Sequence, residues 1–328
     1  MSGQCKIAVA LLSALVLAGP CGPAVAQVYP IRAVTIITPS LPGGGIDITA
    51  RQIAAELQDA LHQPFVVENR AGASGNIATH DVARAAPDGY TLLLTISGFQ
   101  TTNPALFKSL QWDPVRDFAA VAMVSRSPQV LVVNKDSPAN TLADLIAYAR
   151  ANPGKVTYGS PGVGTQNNIA SLQLAEAAHI KVTTVPYRAT AAAFNDLLGG
   201  TLGFFVNTTQ QLVGPLQGHV VKGLAIFSTK RHPLLPDVPT TAEAGFPDLQ
   251  IDTWYALYAP AGTPKAVVDR LSGEIRKIVE RPDFKARIEK SGATIYYMGP
   301  EQLTEYTKQE VAHWRDVVRK LGIPAQSQ

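Results

Sequence analysis

The sequence predicts an α/β protein with two wound sheets. Short β-branched runs alternate with segments of helical periodicity, which is the rhythm of βαβ units. This alternation occurs in two successive series along the chain. The length of 328 residues agrees with two domains of ordinary size.

The predicted strands are short apolar runs bounded by turn residues. Those of the first series are 34–38, 65–68, 91–95 and 130–133, and those of the second are 156–158, 183–185, 204–206 and 224–227. A further run at 254–259 follows the second series. No internal repeat interrupts the pattern, so each series predicts one sheet.

Three helix starts or spans are specified by local signals. Thr141 and Asp144 have the spacing of a capping box at the start of a helix. Thr263 and Pro264 are typical of an N-cap and a first helical residue. Apolar spacing predicts the last helix over 300–321.

The first 26 residues have the pattern of a secretory signal peptide. Lys6 precedes an apolar run over 7–18, and the small residues Ala24 and Ala26 suit signal peptidase. The apolar run is shorter than the roughly 20 residues that span a bilayer. We predict that residues 1–26 are a leader, removed after Ala26.

The composition excludes several kinds of site and partner. Both cysteines, Cys5 and Cys21, lie in the leader, so the exported chain is predicted to have no disulfide and no thiolate metal site. Hydrophobic residues make up 46% and charged residues 16%, which describes a compact globular protein. The net charge of +3 is spread without a basic block, so we predict no nucleic-acid partner.

A glycine-rich turn opens the first predicted helix. In TPSLPGGGIDITARQIA, residues 38–54, the strand breaks at Pro42 and three glycines precede the helical pattern. Glycine permits positive φ and close approach of a ligand to the backbone. The following helix offers free N-terminal amides and the positive end of its dipole. The turn therefore predicts an anion site.

A second turn repeats this arrangement. Gly162 and Gly164 bracket Val163 ahead of a helix predicted to begin near Gln166. The second turn therefore also predicts an anion site, and the two turns are called the first and the second jaw.

Long ordered blocks of the chain carry a family resemblance. They are PGGGIDITAR at 42–51, VVENRAGASGNIA at 66–78, PDGYTLLL at 87–94, NPALF at 103–107, GSPGVGT at 159–165, VPYRATAAAFNDLLGG at 185–200, LPDVPTTAEAGFP at 235–247 and WYALYAPAGTPK at 254–265. These blocks resemble the solute-binding proteins of the tripartite tricarboxylate transporter family, also called Bug receptors. The resemblance covers essentially the whole chain after the leader.

The resemblance implies a fold and a binding mode. The fold is a two-domain periplasmic binding protein of the Venus flytrap type, with two crossovers between the domains. Domain 1 is discontinuous, comprising 27–128 and 251–328, and domain 2 is 129–250. A ligand carboxylate is held between the loops 42–47 and 159–166, largely by main-chain amides and ordered water.

Candidate ligand-binding residues lie on the two glycine loops and at strand ends, where open α/β sheets bind ligands. They are Gly43, Gly44, Gly45, Ile46, Asp47, Ser97, Gly98, Gly162, Val163, Gly164, Thr165, Gln166, Tyr187, Arg188, Thr190 and Asn207. Several have structural alternatives. Asp47 also suits the dipole of a helix's first turn, Arg188 a surface ion pair, and Asn207 a cap. Tyr255 could face the cleft, although aromatic residues in such a run more often lie in the core.

The chain departs from the family pattern near the second jaw. Asn168 stands where a histidine is usual, and Gly203 and Asn207 replace acidic residues of a later strand. These changes remove partners for a ligand ammonium group. We therefore predict a plain mono- or dicarboxylate ligand in preference to an amino acid.

The sequence argues against an enzyme. It has no P-loop, no GxGxxG, no HExxH and no GxSxG elbow, and its histidines lack metal-ligand spacing. We predict no cofactor and no metal. The resemblance implies a periplasmic monomer that delivers a carboxylate to large and small integral membrane transporter subunits. An exported orphan or sensory receptor for a small organic acid, acting on a signalling partner, stays open as the alternative.

Overall fold

The computed structural model describes residues 29–187 and 189–327, so the predicted leader lies outside the described residues. The strands, in chain order, are β1 (Val34–Thr38), β2 (Phe65–Asn69), β3 (Thr91–Ile96), β4 (Phe118–Asn134), β5 (Val156–Ser160), β6 (Val182–Pro186), β7 (Phe205–Thr208), β8 (Val221–Ile226), β9 (Asp252–Pro260) and β10 (Thr294–Met298). The helices are α1 (Gly45–Leu61), α2 (Asn76–Ala83), α3 (Asn103–Leu106), α4 (Leu142–Ala151), α5 (Gln166–Ala177), α6 (Thr190–Leu198), α7 (Thr209–Gln217), α8 (Lys265–Glu280), α9 (Pro282–Lys290) and α10 (Pro300–Lys320).

The first lobe is built on a mixed sheet of order β10-β4-β9-β3-β1-β2. β1 pairs in parallel with β2 and β3, whereas β9 runs antiparallel to β3 and β4, and β10 antiparallel to β4. Helices α1 and α8 pack on one face, while α2 and the start of α10 pack on the other. Burial on both faces explains why β1 and β3 read as nearly continuous apolar runs.

The second lobe uses the far half of β4. Strands β7 and β8 pair antiparallel with it, and β5 and β6 form a parallel pair. Alternate residues of β4 point to opposite faces. Leu131 packs with α4 and α5, whereas Val130 and Val132 pack with α6 and α7. The prediction of one sheet for each series is therefore wrong in two respects: residues 130–133 pair with second-lobe strands, and β5 and β6 form a separate two-stranded sheet.

Two adjacent strands connect the lobes. β4 is a single strand of 17 residues that pairs with β9 up to Pro128 and with β7 and β8 from Gln129 onwards. Proline has no N–H to donate, so Pro128 suits the point at which the strand changes partners. β9 returns beside it, with Asp252 opposite Pro128. The predicted domain bounds themselves stay a prediction.

Helix α10 lies against both lobes. Leu303 near its start packs in a first-lobe cluster, whereas Trp314 and Val318 pack in the second-lobe cluster that contains α5. Beyond the helix, the Gln326 amide donates to the Leu106 carbonyl at 2.7 Å. The C-terminal segment thus supports both lobes.

The local helix signals were accurate to within a residue. The capping box is confirmed, because the Asp144 amide donates to Thr141 Oγ1 at 3.1 Å and the Thr141 amide donates to Asp144 at 2.9 Å. Helix α8 has Pro264 as its N-cap, one residue later than predicted, since the Thr263 hydroxyl donates backwards to the Pro260 carbonyl at 2.8 Å. Among the described residues, no helix is both long and apolar enough to cross a membrane.

Candidate ligand-binding cleft

A cavity of about 430 Å³ lies between the two lobes. Loops, strand ends and helix starts from both lobes form its wall. The lining residues are Ser40, Gly44, Gly45, Ile46, Ser74, Ile96, Gly98, Phe99, Asn103, Leu106, Phe107, Pro161, Val163, Gly164, Thr165, Gln166, Asn167, Thr190, Asn207, Thr208, Gln211, Thr253 and Tyr255. Its size and position fit a small-molecule site.

Helices α1, α5, α6 and α7 all begin at this cavity, whose lining includes the N-caps Gly44, Thr165 and Thr208 and the first residue of α6, Thr190. The N-caps of α1, α6 and α7 make no side-chain capping hydrogen bond in the described structure. First-turn amides of a helix have no intrahelical acceptor and carry partial positive charge. Helix termini from both lobes thus converge on one space.

Several of these amides are available to a ligand. Those of Gly45 and Ile46 in α1, and of Gln166 and Asn167 in α5, have no acceptor among the described residues. The described lining also contains no acidic or basic side chain. Backbone amides are therefore its principal groups for recognising an anion.

The first jaw is held by Asp47. The Gly43 amide, at φ 83°, donates to Asp47 Oδ2 at 2.9 Å, and Arg51 and Asn69 donate to the same carboxylate at 3.0 and 2.9 Å. Burial alone would raise the pKa of Asp47, but these hydrogen bonds outweigh it and hold the pKa below its ordinary value. Asp47 is absent from the lining, so its carboxylate shapes the turn.

The second jaw is held by Asn168. The Gly164 amide, at φ 76°, donates to Asn168 Oδ1 at 2.9 Å, and Asn168 Nδ2 donates to the Tyr158 hydroxyl at 2.8 Å. A Cβ on Gly164 would overlap the Leu106 side chain. Gly164 is thus required both for the backbone conformation and for the close approach of the first lobe.

The lining combines apolar walls with two unpartnered hydroxyls. Ile96, Phe99 and Phe107 give it apolar surface. Among the described residues, Ser40 Oγ and Thr208 Oγ1 are buried without a hydrogen-bond partner, and Thr208 as a whole is only 7% exposed. Buried hydroxyls without a partner are costly, so these two are suited to a polar ligand group.

The remaining candidates fall into three groups. Asn207 lies in the lining, where its Oδ1 accepts from Asn167 at 3.1 Å. Gly43, Gly162, Ser97 and Tyr187 are not among the lining residues. Arg188 lies outside the described residues.

Two of the candidates away from the lining have other partners. The Tyr187 hydroxyl donates to Asp196 at 2.5 Å, and burial together with that carboxylate raises the pKa of Tyr187 to about 12. Ser97 is fully buried and its Oγ accepts from Gln166 Nε2 at 2.6 Å. Neither side chain is free to meet a ligand in this arrangement.

Tyr255 lines the cavity, which is the less usual of the two placements expected for this aromatic residue. It is 2% exposed, and its hydroxyl donates to Gln210 Oε1 at 2.7 Å across the lobes. Gly45 lies against this pair, since a Cβ there would be 2.7 Å from both oxygens. The glycine thus allows α1 to approach the second lobe.

Sequence reasoning missed more than half of the lining. The lining residues absent from the candidate list are Ser40, Ser74, Ile96, Phe99, Asn103, Leu106, Phe107, Pro161, Asn167, Thr208, Gln211, Thr253 and Tyr255, of which Pro161 lies within the predicted loop 159–166. Thr208 and Asn167 adjoin predicted residues at a strand end and a helix start, so extending those signals by one residue would have found them. Leu106 and Thr253 carry no local signal.

Comparison with solved structures places the fold. An R. palustris protein with adipate superposes with a TM-score of 0.85 at 32% identity, over 91% of this chain and 100% of that one. MatC from Rhodopseudomonas palustris with bound malate gives a TM-score of 0.80 at 32% identity, over 88% and 100%. The periplasmic binding protein BugD gives a TM-score of 0.82 at 35% identity, over 91% of this chain and 100% of that one. The predicted two-domain periplasmic binding protein fold is confirmed.

Sequence comparison agrees. Protein BugT of Bordetella pertussis is 35% identical over 308 residues, which are 93% of this chain and 94% of that protein. The model of the tripartite tricarboxylate transporter family receptor matches residues 49–323. The predicted resemblance is therefore confirmed, as is the prediction that the chain is no enzyme, because this is a family of receptors. The chain belongs to the tripartite tricarboxylate transporter receptors, a family of periplasmic solute-binding proteins.

Proposed function

We propose that this chain captures a small carboxylate between its lobes in the periplasm and delivers it to a membrane transporter. The supporting observation is the convergence of helix N-termini from both lobes on a cavity whose described lining has no charged side chain. Such a site attracts one anionic group without a counter-ion. Its described lining holds no carboxylate that would balance a ligand cation.

The energies are sufficient for useful affinity. Each helix terminus contributes about 0.3–1 kcal/mol to one negative charge, and each hydrogen bond to a charged group about 1.5–3 kcal/mol. A micromolar dissociation constant corresponds to about −8 kcal/mol. Four hydrogen bonds from the amides of Gly45, Ile46, Gln166 and Asn167 would contribute about 6–12 kcal/mol before the cost of association is subtracted.

The ligand class follows from the rest of the wall. Ile96, Phe99 and Phe107 surround the body of the ligand with apolar surface, and Ser40 and Thr208 add uncharged polar groups. A ligand ammonium group would find no anionic partner among the described lining residues. Two similar solved structures hold adipate and malate, which are dicarboxylates without an amino group. We infer a mono- or dicarboxylate without an amino group.

Delivery completes the proposal. The chain is exported, its leader is removed after Ala26, and the domains 27–128 with 251–328 and 129–250 close on the ligand as a monomer. Only a ligand that binds the closed state better can favour closure, so contacts from both lobes are required. Large and small integral membrane subunits then recognise the closed form.

A ligand panel tests the receptor role. Protein purified from the periplasm is unfolded, refolded to remove retained ligand, and heated with adipate, malate, aromatic acids, succinate and aspartate. A ligand at 100 times its dissociation constant adds about 2.7 kcal/mol, which raises Tm by several degrees. A Tm shift with acids that lack an amino group supports the proposal.

If no acid shifts Tm, the carboxylate class is contradicted. A larger Tm shift with aspartate than with succinate contradicts the inference that the ligand has no amino group. The intact mass of the same protein tests cleavage after Ala26.

A further inference from the structure

Gln166 is the first residue of α5, and its side-chain amide is buried. The residue as a whole is 5% exposed. Its Nε2 donates to Ser97 Oγ at 2.6 Å and to the Asp252 carbonyl at 3.0 Å, and its Oε1 accepts from the Thr253 hydroxyl. Both ends of the amide are therefore bonded to protein.

These partners lie across the lobe boundary. Ser97 directly follows β3 of the first lobe, whereas Gln166 starts a second-lobe helix. Asp252 and Thr253 open β9, one of the two connecting strands. The Thr253 hydroxyl also accepts from Gln129 Nε2 at 2.9 Å, and Gln129 lies in the other connecting strand. One buried hydrogen-bond chain thus joins both hinge strands to α5.

The same residue takes part in the cleft through its backbone. The Gln166 amide is one of the free first-turn donors of α5. A ligand anion that fixes this helix start also fixes the side chain that bonds the hinge strands. Opening the lobes would separate Gln166 from Ser97 and leave buried polar groups to be resolvated.

We propose that Gln166 is a positioning residue that latches the two lobes together and biases the ligand-free protein towards the closed arrangement. This proposal rests on the proposed function for its link to affinity, but the latch itself is a property of the ligand-free protein. If the closed state is the binding-competent one, losing the latch weakens apparent affinity in proportion to the lost closed fraction.

A distance measurement between the lobes tests the latch. Spin labels are placed at Asp59→Cys, on the exposed end of α1, and at Lys181→Cys, between α5 and β6. Distances are recorded by pulsed electron resonance with and without adipate and malate. We expect Gln166→Ala to shift the ligand-free distribution to longer distances and to weaken binding on the order of tenfold. Saturating ligand should restore the closed distance.

A second variant and a control distinguish loss of the latch from loss of folding. Gln166→Glu keeps the side-chain length but loses both Nε2 donors, and is expected to open the ligand-free protein as well. Gln173→Ala removes a glutamine from the same helix that makes no side-chain hydrogen bond among the described residues, and should leave the distances unchanged. Ligand-free distances in both Gln166 variants that match the wild type overturn the latch. If the wild type binds neither acid, the ligand-free comparison still decides the latch, and the wider acid panel decides the carboxylate proposal.

Discussion

Asp47 and Asn168 occupy matching positions on the two jaws. Each accepts a hydrogen bond at 2.9 Å from the amide of a glycine with positive φ four residues earlier, Gly43 in one turn and Gly164 in the other. Each thereby fixes a glycine turn ahead of a helix whose first amides face the cavity. The pairing assigns both polar side chains to shaping the jaws.

Replacing Asp47 is expected to cost stability in a pH-dependent way. Asp47→Asn removes a buried charge that accepts from Gly43, Arg51 and Asn69, and we expect unfolding free energy to fall by about 1–3 kcal/mol at pH 7. The folded-state pKa lies below the ordinary value of 3.8. The stabilisation is therefore complete above the unfolded-state pKa and is lost as pH falls through the folded-state pKa.

Denaturant unfolding of wild type and variant checks this. The difference should be constant between about pH 7 and 5 and narrow at lower pH. Asp59→Asn, at the exposed far end of the same helix, serves as the control and should show little difference at any pH. A wild-type advantage that grows on acidification would contradict the assigned role.

Gly45→Ala is expected to impair binding without impairing folding. Its Cβ would lie 2.7 Å from both Gln210 Oε1 and the Tyr255 hydroxyl, so α1 could no longer approach the second lobe as closely. The overlap is with the ends of two side chains and not with backbone, so we expect little change in Tm. We expect carboxylate affinity, measured by calorimetry, to drop roughly tenfold, or about 1.4 kcal/mol.

The neighbouring glycine provides the control. At Gly44 an added Cβ would meet only the Leu41 carbonyl oxygen, at 3.7 Å. Gly44→Ala should therefore weaken binding much less than Gly45→Ala. Equal losses in both variants would show that the interlobe contact at Gly45 is not what limits binding.

The limits of sequence reasoning follow from the range of the interactions. Strand β1 was predicted with its observed bounds, Val34–Thr38, because its apolar run ends at turn residues on both sides. The capping box at Thr141 was found because its donor and acceptor lie three residues apart. Interactions of this kind depend only on residues that are close in the sequence.

Long-range features were missed for the same reason. Only 130–133 of β4 was predicted, since Pro128 interrupts the strand signal although it is accommodated where the strand changes partners. The bond between Thr253 and Gln166 joins residues 87 positions apart. Leu106 reaches the cavity wall through packing on Gly164. Such contacts depend on how the lobes face each other, which periodicity does not specify.

The N-cap of α4 offers a local stability test. Thr141→Ala removes the hydroxyl that accepts from the Asp144 amide at 3.1 Å. We expect a loss of about 0.5–2 kcal/mol in unfolding free energy. Binding should be unchanged, because Thr141 is outside the cleft lining. Thr141→Ser keeps the acceptor and should recover most of the loss; failure to recover it would point to lost packing in place of lost capping.

Thr208→Val separates ligand recognition from stability. In the ligand-free protein Thr208 Oγ1 is buried without a partner among the described residues, so replacing it with a methyl group of similar shape should leave unfolding free energy unchanged or slightly higher. A hydrogen bond from this hydroxyl to a bound anion would contribute about 1.5–3 kcal/mol. Carboxylate affinity should therefore fall about 10- to 150-fold.

Thr102→Val is the matched control, because Thr102 Oγ1 is likewise buried and unpartnered within the described structure but is absent from the lining. Carboxylate affinities of the wild type and both variants are measured by isothermal titration calorimetry. Equal affinities in the two variants would remove Thr208 from the binding site. A loss confined to Thr208→Val would place the Thr208 hydroxyl on the ligand.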